Sequence, residues 1–212
     1  MTRAALSFYA GCAAAAGALL GPLHELAEER LWAHMVQHEL LMVLAAPLLV
    51  LGRPLKMLVR ALPARWRRFV RVPRLCSDAA FGSITHAAAV WLWHAPAFFA
   101  AALASPWLHF AQHASFFGSA LLFWWSIAAP GRRHLAAIGA LFATMVHTGV
   151  LGALMTFSRG SWYPGYELAD QQLAGLVMWV PAGLVYPLAA VFLGAQWLSR
   201  SVRRAGASIR SD

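Results

Sequence analysis

Charge is what this 212-residue chain has least of. Asp, Glu, Lys and Arg make up 12% of it, and only eight residues are acidic. A soluble domain carries about 25% charged residues, so the polar side chains needed to cover a water-facing surface are missing. That excludes a soluble enzyme and a disordered tail. Cysteine is equally scarce: Cys12 and Cys76 stand far apart and in no metal or redox spacing, which excludes a disulfide scaffold. In place of charge there is apolar bulk, 60% of the residues, with ten Trp and twelve Phe and a mean hydropathy of +0.59. The composition is that of an integral membrane protein.

The net charge of +9 invites a nucleic-acid reading, and its distribution argues against one. A nucleic-acid-binding domain carries its basic residues on a folded soluble face. Here they fall in the gaps between long apolar runs. A hydrocarbon core of about 30 Å needs about 20 apolar residues in helix. Runs at about 4–22, 33–51, 79–104, 107–129, 135–157 and 172–197 meet that length. The expected fold is an all-α polytopic membrane bundle of six transmembrane helices, one membrane domain over residues 1–212. The first run has signal-peptide features, but it is long for that role and no small-residue cleavage triplet precedes Pro22, so a retained span is expected.

Lys and Arg concentrate in cytoplasmic connections. Counting them puts Arg3, the eight basic residues of the 52–78 loop, Arg132, Arg133 and the four arginines of the tail on one side, 15 of 17 in all. Arg30 and Arg159 lie on the other side, with Glu25, Glu28, Glu29, Glu167 and Asp170. Both termini are therefore expected in the cytoplasm. Within the basic loop, Leu55, Leu58, Val59, Leu62, Trp66 and Phe69 interleave with the arginines. That suits either a helix lying on an anionic membrane face or a solvated loop that sets topology.

Nine histidines in so apolar a chain need a reason, because ionisable groups inside a span are costly and mark functional interiors. The topology places His34, His38, His94, His109, His113 and His147 in the outer half of the membrane. His34 and His38 are four apart, as are His109 and His113, so each pair shares one helix face. Such a pair can hold one metal ion through two imidazole nitrogens. Met42 continues the face of His34 and His38. Imidazole with thioether and few carboxylates suits copper, as Cu(I) where Met takes part. Glu39 lies inside the same span, either as a partner for an imidazole N–H or reaching outward. Asp170 opens the last span, where an acidic residue caps a helix. For any single one of these histidines, an interhelical hydrogen bond is the commoner role; the set at one depth is what points to metal.

Ordered motifs add a resemblance. His34-Met35-Val36-Gln37-His38, running on to Pro47 and Leu51-Gly52-Arg53-Pro54, resembles the opening motif of the polytopic cytochrome c oxidase assembly factor family CtaG. Trp93-His94-Ala95-Pro96 resembles its Trp-His-x-Pro motif. His113 with Phe116, Phe117, Trp124 and Trp125 is similar to the next signature, and His147 and Asp170-Gln171-Gln172 to Trp179-Val180-Pro181 are similar to the last two. The resemblance covers about residues 30–185. It implies a factor of the bacterial inner membrane that helps haem–copper oxidase become active, through copper delivery or insertion at the outer face; since nothing in the sequence resembles a nucleophile with its base or a phosphate loop, a non-enzymatic role is expected. It carries the ligand role to His34, His38, His94, His113 and His147; His109 enters from spacing alone. Expected partners are cytochrome c oxidase subunits, periplasmic copper carriers, membrane lipid and a second copy of the chain. Two rivals stand beside it. One is a b-type haem protein with paired His ligands, although haem propionates prefer basic partners and the outer side offers only Arg30 and Arg159. The other is a proton or ion transporter using the His cluster and Glu39.

Overall fold

The computed structural model describes residues 2–53, 59, 61–67, 73–129 and 133–208, and among them there are helices and no strands. The chain runs through α1 (Arg3–Leu19), α2 (Pro22–Glu29), α3 (Leu31–Gly52), α4 (Ala79–His94), α5 (Pro96–Ala104), α6 (Pro106–Ala128), α7 (His134–Thr156) and α8 (Leu168–Ser208). Short helical turns at Ala64–Arg67 and Arg74–Ser77 lie between α3 and α4. The basic residues Lys56, Arg60, Arg68 and Arg71, and with them much of the proposed surface helix, lie outside the described residues.

Among the described residues three helices are long and apolar enough to cross a membrane: Leu31–Gly52, His134–Thr156 and Leu168–Arg203. Two bent pairs, α1 with α2 and α4 with α5, bring the number to five if each pair is one span. The expected count of six is therefore not reached on length and apolarity. The helix left over is α6, whose hydropathy is lowered by His109, Gln112, His113 and three serines.

The run read as one straight span over 79–104 is broken, and a second bend falls at the end of the 4–22 run. α4 and α5 meet at 73° and α1 and α2 at 42°. Pro96 has no N–H to give and its ring crowds the residue before it; Ala95 accordingly takes φ −63°, ψ 131°, and the helix restarts with Pro96 in its first turn. At the other break Gly21 adopts φ 83°, a conformation open to glycine, and Pro22 starts α2.

α3 is continuous but changes register. Leu40–Ala45 form a π-turn, and the Ala46 N–H donates to the Leu41 carbonyl five residues back. In that register the Met42 carbonyl would look to residue 47, which is proline and has no N–H. The Trp124 indole N–H of α6 donates to it instead, at 2.9 Å. α6 is thus bolted to α3 just inward of the histidines.

Close helix approach uses small residues, as expected in lipid, where packing rather than water drives association. A methyl group on Gly152 of α7 would meet the Gly175 carbonyl of α8, and one on Gly82 of α4 would strike Ser126 of α6. Phe116, Phe123, Trp124, Leu141, Met155, Met178 and Tyr186 fill the interior. Large apolar side chains such as Leu188, Val191 and Phe192 face outward from α8, the arrangement of a surface that meets lipid.

Candidate metal centre

The centre is built on the first turns of α3. Asp170, at the start of α8, caps this helix: Oδ2 accepts from the Leu31 N–H at 2.9 Å and Oδ1 from the Trp32 N–H at 3.1 Å. Helix N-termini expose such N–H groups and favour negative charge. The sequence points to Asp170 as a cap of its own helix; the free N–H groups it meets are those of α3, brought beside it by packing. His34 follows the cap by one turn and His38 by two.

The rings of five histidines gather here. His34 and His38 are 4.4 Å apart between centroids, His34 and His109 5.2 Å, His38 and His113 5.0 Å, His109 and His113 4.5 Å, and His38 and His94 6.0 Å. Three elements supply them: α3, the first turns of α6, and the last residue of α4 at the bend. His34, His38, His94 and His113 are buried and His109 is half-buried. Ligand nitrogens of His34, His38 and His113 all lie within 4.8 Å of one another. Metal–nitrogen bonds of about 2.0 Å hold donors about 3.3–3.5 Å apart in tetrahedral or trigonal geometry, so about an ångström of ring rotation would bring three donors onto one ion.

The hydrogen bonding fits that use. Nε2 of His34, His94, His109 and His113, and both nitrogens of His38, are buried without a hydrogen-bond partner. A buried polar atom left in this way costs about 1–3 kcal/mol. At His94 the tautomer is fixed: Nδ1 lies 2.7 Å from the Val90 carbonyl, which can only accept, so the proton is on Nδ1 and the lone pair is on Nε2. Metal-binding histidines are commonly oriented by such a bond on the second nitrogen.

Aromatic rings enclose the cluster. Phe116 lies 4.6 Å from His38 and Phe99 5.4 Å from His34. The connection between α7 and α8 closes over them. Its buried Tyr163 packs on Phe99 at 4.2 Å and donates its O–H to the His94 carbonyl at 2.8 Å, satisfying an acceptor freed where α4 ends. Gln171 holds the connection by accepting from the Trp162 N–H and donating to the Met155 carbonyl. Burial pushes the Tyr163 phenol above the usual phenol range, and burial together with the Asp170 charge raises Tyr166. Both stay protonated donors at neutral pH.

Three expected participants lie elsewhere. His147 is not among the gathered rings; on α7 it lies one turn past Thr144, whose hydroxyl meets that of Ser83 on α4 at 3.0 Å, because depth along a span says nothing of the direction in which a side chain points. Met42 is buried in the apolar core, within the π-turn that begins at Leu40. Glu39 is buried with Oε2 unpartnered. It neither reaches outward nor meets an imidazole, since the one carboxylate–imidazole pair among the described residues is Glu28 with His24, at 3.9 Å. Phe116 belongs to the motif that follows His113, but Tyr163 and Phe99 had no signal in sequence, aromatics being too common in this chain to single them out. Gln37 could have been noticed as a polar residue inside a span; its amide donates to the Ala18 carbonyl at 2.7 Å, tying α3 to α1.

The model of the cytochrome c oxidase caa3 assembly factor family matches residues 1–200. Among curated proteins, an uncharacterised protein of Mycobacterium leprae (strain TN) is 28% identical over 208 residues, covering 84% of this chain and 31% of the relative. An uncharacterised protein of Mycobacterium bovis (strain ATCC BAA-935 / AF2122/97) is 29% identical over 200 residues, covering 81% of this chain and 30% of the relative. The chain thus spans less than a third of the length of these relatives. No solved structure matches it.

Proposed function

The chain belongs to the cytochrome c oxidase caa3 assembly factor family, which implies a role in oxidase assembly, and from that premise we propose that it does so by holding copper at the histidine cluster and passing it on. The observation that carries the reading is the trio His34, His38 and His113, buried, close enough to share an ion and with lone pairs that nothing else uses. His94 and His109 adjoin the trio and serve as exchange partners during loading and release.

The donor set favours Cu(I). All the nearby donors are neutral imidazoles, and no carboxylate contacts them among the described residues. The Born cost of burying an ion grows with the square of its charge. A monovalent ion in this apolar setting therefore costs about a quarter of what a divalent one does, and Cu(I) suits nitrogen ligands as a soft ion. Haem is disfavoured because rings packed 4.4–6.0 Å apart leave no slot for a porphyrin between them. On this reading the protein acts by binding the ion and passing it on.

On this reading α6 is a sixth crossing, its polar residues turned toward the bundle, and both termini face the cytoplasm of a bacterium. The bend between α4 and α5 and the connection carrying Tyr163 then lie on the outer side, where an oxidase subunit would receive the ion. The test is elemental analysis of the purified protein loaded with copper under reducing conditions, beside His34→Ala/His38→Ala. The variant should lose the trio's copper. Equal copper in both would contradict the assignment.

A further inference from the structure

His86 and His147 are the remaining histidines within the bundle, and the cluster above uses neither. Ser83 Oγ of α4 and Thr144 Oγ of α7 are 3.0 Å apart. A step of three residues from each reaches His86 and His147, and such a step stays on the same side of a helix.

Their hydrogen bonding is that of ligands awaiting an ion. His86 Nδ1 lies 3.1 Å from the Ser119 hydroxyl, and its Nε2 is buried with no partner. Both nitrogens of His147 are also buried and unpartnered. Imidazoles that serve only to tie helices together use their nitrogens for that purpose; here three of four are left over.

We propose that His86 and His147 form a second copper(I) site, deeper in the bundle than the first. His86 precedes His94 by eight residues, about 12 Å along α4 at 1.5 Å per residue, so the two sites are separate. The walls are apolar, with the Phe123 ring stacked 5.7 Å from His86, and no carboxylate contacts either imidazole among the described residues. Two neutral nitrogen donors and no counter-charge select a soft monovalent ion over a divalent one. The protein then carries two ions, one near the outer connection and one inward of it. The second site stands without the first.

The test loads the full chain in detergent with Ag⁺, a redox-stable stand-in for Cu(I), and counts bound silver by elemental analysis after desalting. Wild type should hold two ions. His147→Ala and His86→Gln should each hold one, and His34→Ala/His38→Ala should also hold one, retained at the deep site. Size-exclusion elution and helical circular dichroism select folded samples; His147, the less buried of the pair, gives the milder variant. A wild type with one ion, kept by His147→Ala and lost by His34→Ala/His38→Ala, overturns the deep site and leaves the outer one standing. Two ions in wild type, two in His34→Ala/His38→Ala and one in His147→Ala support the deep site and refute the outer assignment.

Discussion

Removing the Asp170 carboxylate should weaken metal binding without touching a ligand. Asp170 accepts two N–H groups at the start of α3, one turn before His34. Loss of a helix cap costs about 0.5–2 kcal/mol, and loss of a negative charge at a helix N-terminus a further 0.3–1 kcal/mol or so. The sum, about 2 kcal/mol, is about a thirtyfold change in an equilibrium constant. It agrees with the roughly 10–100-fold losses seen when groups that orient metal ligands are removed. Asp170→Ala should therefore bind Cu(I) about 10–100-fold more weakly in competition with a chelator of known affinity. Asp170→Asn keeps one accepting oxygen and should lose about half as much in free energy. It should also lower the Tyr166 phenol in a spectroscopic titration, since the Asp170 charge is part of what raises that group. Wild-type affinity in Asp170→Ala, with the helices intact, would refute the idea that this cap sets the histidines.

Other changes test the frame around the site. Trp124→Phe removes the donor to the Met42 carbonyl and leaves a buried acceptor unpaired, so thermal unfolding in detergent should show a loss of about 1–3 kcal/mol; an unchanged melting temperature would mean that the π-turn needs no such bolt. Gly152→Val should break the contact of α7 with α8, where added atoms meet the Gly175 backbone and Trp179, whereas Gly139→Ala, with open space at its Cβ, should be neutral. Size-exclusion profiles separate these outcomes, and equal behaviour would count against the packing argument. Burial raises the Tyr163 phenol in the fold, so above about pH 10 the unfolded chain ionises first and stability falls with rising pH. Tyr163→Phe should flatten that fall; an identical pH profile would contradict it.

The helical class could be read from composition because a bilayer demands long apolar runs and leaves few alternatives. The two histidine pairs were legible because a spacing of four places side chains on one face, and all four rings of those pairs do meet. Counting span length hid the break at Ala95, although Pro96 stood in plain view. Hydropathy leaves α6 out because His109, Gln112 and His113 lower it, and Gln112 and His113 are buried in the bundle. The azimuth of His147 depends on which neighbour α7 packs against, and no periodicity reveals that. The π-turn was not legible, because Pro47 sits in a span that nonetheless stays helical. The bond from Asp170 to α3 joins residues 139 apart, a relation that only the folded bundle creates.

The most direct test is a structure of the protein loaded with Cu(I), with anomalous difference density collected at the copper edge. The account predicts a peak bonded to nitrogens of His34, His38 and His113, at about 2.0 Å from each. Copper bound elsewhere while those three rings stay unligated would contradict it.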